Sequence, residues 1–351
     1  MVEPMISRIW SVNEWGPLQE IILGSPAGAL LPSMADVSQR NFDRLSAAEA
    51  ALTVCGPMPA QVIEETHEDL DGLESTLHQF GVVVHRAEGL NGTDPVHSPH
   101  WVAEAESAIN IRDITLIHGD LVIDAPTPTR GRQFETFAVR DLLSQTAQGP
   151  QWLVAPPRPR LLDASYDLDR PRGLNEVEPL FDAANCVRLG RDVIIDINNT
   201  ANQMGAQWLQ RVLDWHHGAG VVRVHPVALS PDHIDVIVVP LCEGTALYNP
   251  KYVDPQQLPA CLQGWNLVPA PPMVPQVYLT GSPKASNWIG LNVLVINGEE
   301  RTVIVEERQT HLLRLLERLG FHPIPVRWRH GRSWGGAFHC VTLDVHRLGT
   351  L

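Results

Sequence analysis

An α/β fold is predicted by three features of the 351-residue chain. Short runs of aliphatic and β-branched residues recur along its length. Amphipathic helical stretches lie between several of them, and glycine and proline punctuate the junctions. The strand-like runs are, in order, "LQEIILG" (18–24), "GVVVHRA" (81–87), "TLIHGDLVIDAP" (115–126), "RDVIIDI" (191–197), "DVIVVPL" (235–241), "LNVLVING" (291–298), "RTVIVEE" (301–307) and "CVTLDVHR" (340–347). "GAQWLQRVLDWHH" (205–217) and "QTHLLRLLERLG" (309–320) read as helices; in the second, Leu312, Leu315, Leu316 and Leu319 fall on one face, as a core-facing stripe does. "VAPPRPR" (154–160) and "PAPPMVP" (269–275) read as loops or polyproline-like connectors. No linker or low-complexity tract divides the chain, no internal repeat is evident, and residues 1–351 are expected to form one domain.

Composition narrows the function. A chain that is 44% hydrophobic and 19% charged can bury a large core. Its net charge of −14 argues against nucleic acid or an anionic membrane as partner, and suits a site that attracts small cationic molecules. No run reaches the roughly 18 apolar residues of a membrane span. The start "MVEPMISRIWSVNEW" lacks the basic and apolar regions of a secretory signal. The cysteines, 55, 186, 242, 261 and 340, form an odd set without C-x-x-C spacing, which favours reduced thiols in a cytoplasmic protein over a disulfide framework or a zinc site. Neither a G-x-G-x-x-G after an early strand nor a P-loop is present, and no metal or cofactor is expected. Small-molecule substrates are the expected partners. A homodimer is carried as an expectation that no residue pattern argues for.

Acids and histidines gather at loop or strand edges. Asp113 sits where a turn meets a strand, and Asp182 ends an apolar run. His233 and Asp235 lie two apart, so on a strand they would face one side. Cys340 follows "RSWGGAFH", at the tip of a glycine-softened loop before a strand. Taken singly, each has an ordinary explanation: a loop Asp caps turns, a lone His satisfies local hydrogen bonds, and a free Cys is a small buried residue. Together they suit one chemistry. A thiolate attacks an electrophilic carbon, a His moves protons, a carboxylate orients that His, and two further carboxylates grip a planar cation such as a guanidinium. Carboxylates near Cys340 would raise its thiol pKa, so an imidazolium is wanted close by.

The stretches "VNEWGPLQEIILG", "RD" at 112–113, "DLVIDAP", "RPRLLDASY", "EPLFDAANCVRLGRD", "GAQWLQ", "HIDVIVVPL", "NWIGLNVLVI" and "FHCVTLDVHRLGTL" run in order from residue 12 to 351. The chain thereby resembles the amidinotransferases of the guanidino-group-modifying (pentein) superfamily, which include the arginine:glycine and arginine:inosamine-phosphate enzymes; "APPRPRLLDASYD" looks closest to the inosamine-phosphate and natural-product branch. The resemblance implies a five-bladed α/β propeller of ββαβ modules around a central channel. It implies that Cys340 attacks the guanidine carbon of arginine and releases ornithine. His233 would shuttle protons, Asp182 would orient it, and Asp113 and Asp235 would hold the guanidinium. An amine acceptor would then take the amidino group, in a pathway of specialised metabolism.

Two segments depart from the family pattern. "YNPKYVD" places Tyr252 where glycine-type members have an arginine for the donor's α-carboxylate, with Lys251 beside it. "PKASNW" places Ala285 and Ser286 at a paired serine, behind Lys284. Lys251 and Lys284 are the only lysines of the chain, so either would be a point charge in place of the missing arginine or a solvated loop residue. Ser286, Lys251 and Tyr252 are therefore carried as substrate-binding candidates. Residues 46–56 and 91–106, poorly matched to the family, are expected to cover the acceptor. A guanidino hydrolase and a non-catalytic ligand-binding homologue remain as alternatives.

Overall fold

Fifteen strands arranged as five three-stranded sheets carry the architecture. The computed structural model describes residues 5–31, 33, 36–40, 51, 55–90, 94–146, 152–167, 169, 173–276 and 286–351. Lys284 and Ala285 lie outside the described residues, as do most of the stretch 46–56 and part of 91–106.

The sheets repeat one plan. β3 (Thr115–His118), β4 (Leu121–Asp124) and β5 (Trp152–Val154) form one; β6 (Cys186–Arg188), β7 (Asp192–Asp196) and β8 (Arg223–Val227) the next. β9 (Val238–Cys242), β10 (Thr245–Tyr248) and β11 (Asn266–Pro269) follow, then β12 (Leu294–Asn297), β13 (Thr302–Glu306) and β14 (His322–Val326). In each, the first strand pairs antiparallel with the second through a tight hairpin, and the second pairs parallel with the third after a crossover. The remaining sheet joins the two ends of the chain: β1 (Leu18–Leu23) lies between the last strand, β15 (Thr342–Arg347), antiparallel to it, and β2 (Val83–Arg86), parallel to it. Two of the hairpins, β3–β4 and β9–β10, use two-residue turns, with Gly119 at φ 64° and Gly244 at φ 78° supplying the left-handed conformation.

Four crossovers are α-helical: α1 (Ala60–Gln79), α2 (Phe137–Ser144), α3 (Gln203–His217) and α4 (Thr310–Arg318). The crossover between β10 and β11 instead holds two 3-10 turns, Pro255–Gln257 and Ala260–Leu262. Both helices expected from sequence form. α4 buries Leu312 and Leu316, with Leu315 and Leu319 half-buried against the same core. α3 starts at Asn202, whose side chain accepts the Gly205 amide at 2.9 Å. α1 was not anticipated, although Val62, Thr66, Asp69, Leu70, Leu73 and Leu77 form its buried stripe at helical spacing. Among the described residues, no helix is long and apolar enough to cross a membrane.

A buried ion network fastens the amino-terminal segment to β6 and β15. Arg188 donates to both carboxylate oxygens of Glu14 at 2.8 and 2.7 Å, to Asp344 at 2.8 Å, to Ser11 Oγ at 2.9 Å and to the Ile117 carbonyl at 3.0 Å. Arg347 and Arg112 bind the same Asp344. Burial pushes Glu14 and Asp344 up, but the facing guanidinium groups outweigh it and hold both carboxyls well below their usual range. Removing one partner strands buried charge. Arg188→Ala is therefore expected to cost about 3–5 kcal/mol in a denaturant titration; a loss under about 1 kcal/mol would show that the network does not hold the ends together.

Candidate active site

A single turn type, placed at the same point of each module, builds the site. A 3-10 turn, or a tight turn in the last case, leads into the first strand of every sheet: Ile111–Asp113 before β3, Ala183–Asn185 before β6, Ile234–Val236 before β9, Ile289–Leu291 before β12, and 337–340 before β15. These turns deliver, in order, Asp113, Asp182, Asp235, Asn292 and Cys340, all buried, to one neighbourhood. His233 and Asp235 do not lie on a strand, where they would share a face: His233 is the amino-terminal cap of the 3-10 turn and Asp235 lies within it, and both line a cavity with Cys340.

The thiol of Cys340 donates to Asp235 Oδ2 at 3.2 Å. Asn292 fixes this arrangement from both sides. Its Oδ1 accepts the amides of Ala337, His339 and Cys340 at 3.0, 3.1 and 2.9 Å, and its Nδ2 donates to Asp235 Oδ2 at 2.9 Å. His339 bridges Asp235 Oδ2 at 2.9 Å and Glu14 Oε2 at 3.3 Å, which connects the site to the buried ion network. Gly336 is required by space: a Cβ there would meet Asn110 Oδ1 at 2.2 Å and Cys340 Cβ at 2.8 Å. The two glycines before Cys340 thus serve close packing at Gly336 and a left-handed turn at Gly335, whose φ is 65°.

His233 lies between two carboxylates. Its Nε2 is 3.1 Å from Asp182 Oδ2 and its Nδ1 is 3.6 Å from Asp113 Oδ1. Burial pulls the imidazole down, but Asp113 and Asp182 outweigh it, so the net direction is above the ordinary histidine value. The Cys340 thiol moves up strongly, first from burial and then from the charges of Asp235 and Asp113. Arg132 holds Asp113 from behind, donating to its Oδ2 at 2.7 Å and to Glu135 at 2.9 Å. That leaves Asp113 Oδ1 and Asp235 Oδ1 buried, without a hydrogen-bond partner among the described residues. Two carboxylate oxygens in this state are costly unless a donor-rich cation completes them.

Asp113, His233, Asp235 and Cys340 line one cavity, joined by Arg132, Asp232 and Ser286. Asp182 stands behind His233. Ser286 Oγ donates to Asp232 Oδ2 at 3.1 Å. Lys251 and Tyr252 are elsewhere: neither lines the cavity, and the exposed Lys251 rests its ammonium 4.6 Å from the Tyr252 ring centroid. Asn292, His339 and Arg132 carried no role in the sequence reading. Asn292 lay within "NWIGLNVLVI" and His339 beside the cysteine, but nothing in their spacing distinguished them from core residues.

No model of a known protein family matches the chain. Individual proteins do. It is 37% identical to inosamine-phosphate amidinotransferase 1 of Streptomyces glaucescens, over 97% of each chain. It is 33% identical to L-arginine:L-lysine amidinotransferase of Pseudomonas savastanoi pv. phaseolicola, over 98% of this chain and 96% of that one. Among solved structures it is similar to SxtG, an amidinotransferase from Microseira wollei in the saxitoxin biosynthetic pathway, with a TM-score of 0.86, 35% identity and 98% of both chains covered.

Proposed function

The chain belongs to the amidinotransferase family of transferases, and from that premise we propose that it moves the amidino group of L-arginine to a small primary amine through a covalent intermediate on Cys340. The observation that carries this reading is the convergence of the Cys340 thiol, the His233–Asp182 pair and two open carboxylate oxygens, on Asp113 and Asp235, around one cavity. The five sheets are read as blades of one propeller domain spanning residues 1–351, with the site at the channel end where their leading turns meet.

In the first half-reaction the donor guanidinium seats on Asp113 and Asp235. Its positive charge offsets part of the negative charge of Asp113 and Asp235 that opposes thiol ionisation, so donor binding and loss of the Cys340 proton to solvent are coupled. The thiolate attacks the guanidine carbon, which the carboxylates hold over the sulfur. His233, protonated because its neighbours raise it, gives its proton to the side-chain nitrogen of the departing ornithine as the carbon–nitrogen bond breaks. In the second, the acceptor amine attacks the amidino carbon, His233 takes the amine proton, and the carbon–sulfur bond breaks to restore the thiolate. Of the three residues expected at the amino-acid end of the donor, Ser286 alone lines the cavity and suits that contact. Similarity to SxtG supports a place in specialised metabolism; a cytoplasmic location belongs to the same reading.

The test is intact-protein mass after mixing with arginine alone. A gain of about 42 Da with release of ornithine is expected for an amidino-thioether. Citrulline accumulating without an adduct would make the chain a hydrolase, and neither product would rule out arginine as donor.

A further inference from the structure

Away from Cys340, three ligand-type side chains meet beside the sheet of β6, β7 and β8. Asp192 begins β7, His225 is the middle residue of β8, and Cys261 sits in the 3-10 turn Ala260–Leu262 of the following crossover. The register explains the first two. The parallel pairing sets His225 opposite Ile194, two residues beyond Asp192, so Asp192 and His225 project from the same face. His225 Nε2 lies 2.6 Å from Asp192 Oδ1, and the three ligand atoms, one from each residue, all lie within 4.8 Å of one another. All three residues are half-buried, so an ion can reach them from solvent.

We propose that Asp192, His225 and Cys261 bind one zinc ion that fastens the crossover between β10 and β11 to the sheet of β6, β7 and β8. The donor set decides the metal. One sulfur, one imidazole nitrogen and one carboxylate oxygen suit a borderline-soft ion; magnesium and calcium take oxygen ligands. Tetrahedral zinc, with bonds of about 2.0–2.3 Å, keeps its ligand atoms roughly 3.3–3.8 Å apart, so the Asp192–His225 pair opens by about 1 Å or less. The fourth position is left to water.

A further observation points the same way. The crossover that carries Cys261 is the one built from 3-10 turns in place of an α-helix, so it lacks the packed helical stripe that holds the other four. Zinc takes the thiolate and not the thiol, so binding releases a proton from Cys261.

The experiment uses the 351-residue chain in a Cys340→Ser background, which removes another thiol that lies beside carboxylates and a histidine. After chelator treatment, zinc is titrated calorimetrically in buffers of different protonation enthalpy, and cobalt(II) is used as an absorbing substitute. The expected result is one equivalent of zinc, about one proton released at neutral pH, and a thiolate-to-cobalt charge-transfer band. Adding Cys261→Ser should abolish the band and weaken zinc binding by about 100-fold or more; His225→Gln should weaken it by at least about 10-fold. Circular dichroism matching the parent shows that each variant is folded. Should Cys261→Ser fail to fold, the proposal stands or falls on His225→Gln and on the cobalt band of the parent. Absence of stoichiometric zinc binding, or binding unchanged by these substitutions, overturns the proposal.

Discussion

Cys340→Ser is expected to leave a folded protein that forms no adduct with arginine and turns over at least about 10⁵-fold more slowly. The fold should tolerate the change because the sulfur contributes little to holding the turn. The backbone of 337–340 is anchored by three amides on Asn292 Oδ1, and the contact of the thiol to Asp235 Oδ2 can be kept by a hydroxyl. The chemistry should not tolerate it. A serine hydroxyl ionises at far higher pH than a thiol, and here burial and two carboxylates already oppose a negative charge at this atom. Donor binding compensates those carboxylates; it does not make an alkoxide accessible. Steady-state transfer from arginine to an amine, measured beside the thermal midpoint, checks both halves of the expectation. Activity within about 100-fold of wild type at unchanged stability would mean that the amidino group passes directly between two bound substrates, and the covalent route would be wrong.

The α/β character was legible because it rests on local pattern. The strands at 115–118, 192–196 and 302–306 are nearly continuous apolar runs, as strands buried on both faces must be, and α4 carries its leucines at helical spacing. The fivefold recurrence was not legible in the residue pattern and came only from the family resemblance. The modules share hydrogen-bonding plan and hydrophobic period, neither of which constrains residue identity, and one replaces its helix with 3-10 turns. α1 escaped for a different reason: its mean character is polar, and its narrow stripe includes Thr66 and Asp69, which read as surface residues until their buried partners are known. Asp69 is in fact bound by Arg327 and Arg329 at 2.7 and 3.0 Å.

Within the site, residue types that announce chemistry could be found, and residues that act through geometry could not. Asp113, Asp182, His233, Asp235 and Cys340 could be named because carboxylate, imidazole and thiol have chemistry of their own. Asn292 could not, since its value lies in accepting three amides from one distant turn while donating to Asp235. Lys251 illustrates the converse. Its charge is compatible with either a ligand contact or a solvated loop position, and it lies exposed over Tyr252. Asp192, His225 and Cys261 are separated by more than thirty residues at each step, so no ligand spacing could have signalled them.

Asp182→Asn separates orientation from electrostatics in the proton-transfer step. Asp182 is fully buried at the cap of the turn 183–185, and its Oδ2 lies 3.1 Å from His233 Nε2. Asparagine keeps the volume and an accepting oxygen but removes the negative charge that favours imidazolium. His233 is raised because Asp113 and Asp182 together overcome burial. Removing the charge of Asp182 from these upward pulls leaves burial less opposed, so the imidazole gives up its proton at lower pH than in the parent. The pH limb that reports His233 should therefore move to lower pH, and the rate should fall by about 10²–10⁴-fold. Because the same imidazole acts in both half-reactions, adduct formation from arginine and its discharge to an amine should both slow. Quenched single-turnover mass measurements across pH read the two steps separately. A loss of rate with the limb unmoved would mean that Asp182 only shapes the turn, and that the proton balance of His233 is set by Asp113.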